Sequence, residues 1–121
     1  MIHTAPPYNG SIIDTLESLG AQVQVAFMDL ETSSIIQTQG PELIIIDTNE
    51  ISGTAETCQM VRFLSSAPLV VLSNATQPKI IASILDSGAD DYLVKPVSKE
   101  LLQARINTLV RRKTAPSYNT V

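Results

Sequence analysis

Three residues of the 121-residue chain could do phosphoryl chemistry if a fold brought them together: Asp47, Ser73 and Lys95. Asp47 closes the run Pro41 to Asp47, Pro-Glu-Leu-Ile-Ile-Ile-Asp. Ser73 closes Pro-Leu-Val-Val-Leu-Ser, and Lys95 follows Tyr92-Leu93-Val94. A carboxylate can act as a nucleophile. A hydroxyl and an ammonium can stabilise charge on a transferring phosphoryl group. Each residue alone has an ordinary reading: a loop cap, a turn residue, a solvated lysine. The trio carries weight only if the three runs are strands that end on one edge.

The runs themselves have that character. Leu43 to Ile46 is a short apolar stretch, mostly β-branched, as expected of a strand buried on both faces. Such strands belong to parallel sheets covered by helices, and ligands bind outside their carboxyl ends. Met1 to Ala5 leaves room for a short first strand, and Pro6, Pro7, Asn9 and Gly10 make a loop. Ser11 with Asp14 resembles a capping box, and Ile12, Ile13, Leu16 and Leu19 then recur at helical spacing up to Gly20. Val23 and Val25 alternate with Gln22 and Gln24, the pattern of an edge strand. A second helix is expected over Leu30–Gln39, a loop over Thr48–Gly53, and a third helix from about Ala55 to Leu64 with Met60, Val61 and Leu64 inward. Leu69–Ser73 reads as the fourth strand. Ile80, Ile81, Ile84 and Leu85 mark a fourth helix closed at Gly88, and Tyr92–Val94 is a short fifth strand. Leu101, Leu102, Ile106, Leu109 and Val110 mark the last helix, with Arg111, Arg112 and Lys113 at its C-terminal end, where cations suit the dipole. Strands alternating with helices predict one doubly wound parallel sheet with right-handed crossovers. The domain is expected over residues 1–113, with 114–121 a linker or tail.

Composition narrows the class. A net charge of −4 argues against the domain itself binding nucleic acid. No apolar run approaches the ~20 residues of a membrane span, and no basic-then-apolar leader is visible. One cysteine, Cys58, cannot make an internal disulfide, which fits a reducing, cytoplasmic setting and a helix face.

From about Ile2 to Arg112 the chain resembles the receiver domain of two-component response regulators. The most specific part is Ser87 to Pro96, Ser-Gly-Ala-Asp-Asp-Tyr-Leu-Val-Lys-Pro, with the two strand runs and the 22-residue spacing from Ser73 to Lys95 in support. The resemblance implies a flavodoxin-like sheet in the order 2-1-3-4-5 with five helices, strand one being short, and a signalling rather than an enzymatic role. It makes Asp47 the phosphoacceptor position, Ser73 the hydroxyl that follows the phosphoryl group, Lys95 the conserved-type lysine before a cis Pro96, and Tyr92 the aromatic switch.

Departures from the family pattern bear on cofactor use. The family places two acidic residues just after strand one, which with the phosphoacceptor hold Mg²⁺, a hard cation that wants several anionic oxygens. Here no Asp or Glu precedes Asp14, and His3 and Thr4 stand at those positions. Histidine is a poor magnesium ligand. After Asp47 the usual Met-Pro pair is replaced by Thr48-Asn49-Glu50-Ile51-Ser52-Gly53. The expectation is an atypical receiver with no resident metal, Asp47 and Asn49 being weak candidates only. Magnesium enters only in the alternative, a conventional receiver phosphorylated on Asp47 by a histidine kinase. A flavodoxin-like cofactor binder is a third reading, although Pro6 and Pro7 deprive the first loop of amides.

The segments around Asp91 and Leu101 resemble the subclass with a winged-helix (OmpR-type) output domain, which dimerises through helix 4, strand 5 and helix 5. Asp91 and Arg105 match one interhelical ion pair of that face, whereas another pair's positions hold Ile81 and Leu101. The resemblance therefore implies a homodimer held by apolar contact, with a C-terminal DNA-binding domain outside this chain and no membrane partner.

Overall fold

The computed structural model describes residues 2–3, 10–20, 22, 26–27, 30–49 and 52–114. Its elements, in chain order, are β1 (Ile2–His3), α1 (Gly10–Ser18), β2 (Ala26–Phe27), α2 (Leu30–Gln39), β3 (Ile44–Asp47), α3 (Thr54–Leu64), β4 (Leu69–Ser73), α4 (Pro78–Asp86), β5 (Asp91–Val94) and α5 (Lys99–Thr114). The strands form one sheet in the order β2-β1-β3-β4-β5, every pairing parallel. This is the flavodoxin-like architecture and strand order the sequence predicts.

The alternation along each strand divides the core in two. Ile44, Ile46, Leu69 and Val71 face α2, α3 and α4, packing with Ile36, Cys58, Val61 and Ile84. Ile45, Val70, Leu72 and Leu93 face α1 and α5, packing with Ile12, Leu16, Leu102, Ile106 and Leu109. Both faces of β3 and β4 are covered, so these strands are apolar up to their last residues, Asp47 and Ser73. Met60 and Leu64 pack against the first of these layers only at its margin, partly buried, while Cys58 and Val61 are fully enclosed.

Several local expectations shift. α1 begins at Gly10, one residue ahead of Ser11. Leu19 falls beyond the end of α1 and is exposed, because Gly20 takes φ 89°, a left-handed conformation that turns the chain away. Leu85 of α4 is likewise exposed. The second strand lies at Ala26–Phe27, and Val23, Gln24 and Val25 fall outside the described residues. α5 continues to Thr114, with residues 115–121 beyond it outside the described set. Among the described residues no helix is long and apolar enough to cross a membrane.

Candidate functional site

The register brings the three candidate residues to one edge. Asp47 on β3 is paired with Leu72 on β4, and Ser73 at the end of β4 is paired with Val94 on β5. The ladder carries on past the strand ends: the Thr48 amide donates to the Leu72 carbonyl at 3.0 Å, and the Lys95 amide to the Ser73 carbonyl at 2.8 Å. On the other side of β3, His3 of β1 is the register partner of Asp47. Thr4 lies outside the described residues, and of His3 only the backbone is described.

Asp47 is buried, with a side chain only 4% exposed, and a carboxylate so placed requires compensation. Lys95 supplies it. Its Nζ reaches across the end of β4 and donates to Asp47 Oδ1 at 2.5 Å and to Asn49 Oδ1 at 2.8 Å. Ammonium-to-carboxylate bonds of this kind are short and roughly twice as strong as neutral ones. The cis peptide between Lys95 and Pro96 agrees with the sequence expectation. Asn49, on the loop after β3, is thus a neutral second acceptor for the same ammonium.

Ser73 and Tyr92 meet at a different point. The buried Ser73 Oγ accepts the Ala75 amide at 3.2 Å, and Tyr92 Oη donates to the Ala75 carbonyl at 2.8 Å. The Tyr92 ring is partly buried and packs against the α2–α3–α4 layer, as does Ile80 of α4. The tyrosine therefore lies inward, tied to the loop that leads into α4.

The residues assigned by resemblance to a dimer face lie on α4, β5 and α5. Asp91 and Arg105 do pair, but within one chain: Arg105 Nη1 donates to Asp91 Oδ2 at 3.0 Å and Oδ1 at 3.2 Å. Ile81 is half-buried and Leu101 is exposed. Five large apolar side chains are exposed among the described residues, and three of them, Leu85 (39%), Val94 (41%) and Leu101 (43%), fall on these three elements.

One cluster has no forerunner in the sequence reading. Arg62, in the last turn of α3, uses all five guanidinium N–H groups. Nε donates to the Gly88 carbonyl at 3.2 Å and Nη2 to the same carbonyl at 2.9 Å. Nη2 also donates to Asp90 Oδ2 at 2.9 Å, and Nη1 to the carbonyls of Ser65 at 3.3 Å and Ala67 at 2.9 Å. Asp90 Oδ2 in turn accepts the Leu69 amide at 2.8 Å. An arginine on a polar helix position 28 residues from its carboxylate gives no local pattern to read. Near it, burial pushes the Cys58 thiol up to about 11, the Arg62 charge pulling the other way.

The sequence profile of a family described as "Response regulator receiver domain" matches residues 6–107. The chain is 34% identical over 112 residues to a "Probable transcriptional regulator ycf27" of Cyanophora paradoxa, covering 90% of this chain and 46% of that protein. It is 33% identical over 100 residues to "Transcriptional regulatory protein AfsQ1" of Streptomyces coelicolor, covering 81% of this chain and 44% of the relative. The chain thus spans under half the length of these relatives. A solved two-component response regulator from Clostridium difficile superposes with a TM-score of 0.79 at 26% identity, covering 88% of each chain.

Proposed function

The chain belongs to the response regulator receiver domain family, a family of signalling modules rather than enzymes, and from that premise we propose that it is an atypical receiver. In this reading its output is set by association instead of by a metal-assisted phosphoryl group on Asp47. The observation that carries the reading is the state of Asp47. Its carboxylate is held by a cation of the same chain, Lys95, and its register partner on β1 is a histidine where the family places carboxylates.

The described donor set does not suit magnesium. A hard dication wants six or more oxygen ligands in the case of Ca²⁺, and near-ideal octahedral oxygen coordination in the case of Mg²⁺. Among the described residues this edge offers the Asp47 carboxylate, already ion-paired, and one amide oxygen, Asn49 Oδ1, which faces the same ammonium. Among the described residues no group of three His, Cys, Asp or Glu could hold a metal ion. Lys95, itself braced by Asn49, holds the Asp47 side chain in place without an added ion.

Association follows from the α4–β5–α5 face. Leu85, Val94 and Leu101 are exposed there, and the ion pair that would cross a two-fold axis is satisfied internally by Asp91 and Arg105. Covering aliphatic surface is worth roughly 25 cal/mol per Å², while an exposed ion pair is worth about 0–1 kcal/mol. A C₂ homodimer would bury the same patch from both copies. The relatives are transcriptional regulators by name and twice this chain's length, so the reading includes a C-terminal DNA-binding domain after α5, a cytoplasmic setting and a homodimer.

A second reading, a working phosphoacceptor served by a histidine kinase, is favoured by the convergence of Asp47, Ser73 and Lys95 on one edge. A cofactor-binding flavodoxin is a different family from the one the chain matches. Intact-mass spectrometry after incubation with acetyl phosphate and Mg²⁺, beside light scattering of the untreated protein, separates the readings. The expected result is no adduct on the wild type and a dimer at high micromolar concentration. A phosphoryl adduct that Asp47→Ala abolishes would make the conventional reading the correct one. The double variant His3→Asp, Thr4→Asp is expected to gain magnesium-dependent labelling on Asp47.

A further inference from the structure

The polar partners of Arg62 are not the residues that the α4–β5–α5 face exposes but those of the turn from which that face is built. Three segments meet at its guanidinium: α3, which carries it; the α3–β4 loop, through Ser65 and Ala67; and the α4–β5 turn, through Gly88 and Asp90. With all five N–H groups engaged, the guanidinium has one orientation. The turn is closed by a second ring, in which the Asp90 amide donates to the Leu69 carbonyl at 2.7 Å while the Leu69 amide donates to Asp90 Oδ2.

The next residue along is Asp91, the carboxylate that holds Arg105 of α5. Leu101 lies one turn before Arg105 on α5, and Leu85 lies just before the turn on α4. A continuous set of bonds therefore runs from α3 through the turn to Asp91 and Arg105, between the two helices that present Leu85 and Leu101. One residue further on, the Tyr92 side chain ties β5 to the loop entering α4. The α4–β5 unit is therefore bonded both at its turn and to the loop that precedes α4.

We propose that Arg62 is a positioning residue for the association face: by clamping Gly88 and Asp90 it sets Asp91, and through Asp91 and Arg105 it sets how α5 lies beside α4. The face is thus preformed for a second copy of this chain. The proposal rests on the association reading above.

The test compares the wild type with Arg62→Gln, Arg62→Lys and Asp90→Asn, the last two keeping it decisive if the first fails to fold. Thermal melts choose a temperature at which each variant is folded. Sedimentation then gives the self-association Kd, and NMR of dilute, monomeric protein follows the Asp91 and Arg105 amides. Arg62→Gln is expected to raise Kd about tenfold, the effect of about 1.4 kcal/mol, with Arg62→Lys and Asp90→Asn smaller and the two amides displaced in each. Variants that melt lower but keep the wild-type Kd and amide positions would give Arg62 a structural role only and overturn the proposal. A wild type that stays monomeric at high micromolar concentration would overturn the association reading and the proposal together.

Discussion

Two of the ion pairs, Lys95–Asp47 and Arg62–Asp90, lie at opposite ends of the parallel sheet and are built oppositely. At the carboxyl end, Lys95 holds Asp47 with side chains 15% and 4% exposed, and both acceptors of the ammonium are side-chain oxygens. At the amino end, Arg62 holds Asp90 with side chains 31% and 43% exposed, and most of its bonds go to backbone carbonyls. A planar five-donor fork suits a job in which several chain segments must be held at fixed angles. A single-point ammonium on a flexible stem suits a site where one charge needs balancing. The more exposed cluster is the one woven into the backbone, so burial alone does not tell which ion pair holds the architecture.

The largest effect is expected from Arg62→Ala. It deprives three carbonyls and Asp90 of their donors, and net hydrogen-bond contributions of about 0.5–1.5 kcal/mol each predict a loss of about 3 kcal/mol. Chemical denaturation measures it, and a loss below that of any change at Lys95 would reverse the ranking of the two clusters. At the other end, Lys95→Met is expected to cost about 2 kcal/mol, because it leaves the Asp47 carboxylate buried without its ammonium. Asp47→Ala is expected to cost less, about 1 kcal/mol, since the lysine stem can carry its charge to water. Equal losses from the two variants would show that Asp47 draws its support from elsewhere. Tyr92→Phe removes the single bond to the Ala75 carbonyl and is expected to cost about 1 kcal/mol.

One effect is absent at neutral pH and emerges only in alkali. The Cys58 thiol ionises at about 11 in the folded chain against 9.0 for an ordinary cysteine, because burial disfavours the thiolate. A raised acid pKa means that the folded state keeps a proton which the unfolded state has released. The contribution is whole below pH 9 and is lost as pH rises toward about 11. Denaturation curves of wild type and Cys58→Ala should therefore converge over that interval and run parallel below it.

Much of this molecule is legible in its sequence where local pattern and burial agree. α2 lies at Leu30–Gln39 and β4 at Leu69–Ser73, as the apolar runs and their Gly-Pro and Pro boundaries predict. The convergence of Asp47, Ser73 and Lys95 follows from strand polarity alone, once the sheet is parallel. Reading fails where a residue's role is decided by distant chain. Leu19 and Leu85 fit helical spacing, yet both are exposed, because periodicity assigns a face without saying how far cover extends. Arg62 and Asp90 look like ordinary surface charges, and only the packing of α3 against the α4–β5 turn makes them partners.

Gly88 has φ 121°, and a Cβ built on it would lie 3.1 Å from the Cβ of Arg62. The backbone conformation disfavours a side chain there, and the neighbouring helix would have to give way to admit one. The two positions are not independent variables in sequence space. In a library randomised at both sites, glycine should persist wherever arginine does. Chains that survive with another residue at Gly88 should be those in which residue 62 has also become small and the turn has reshaped. Tolerance at one site is thus a readout of the other, and the pair should drift together or not at all.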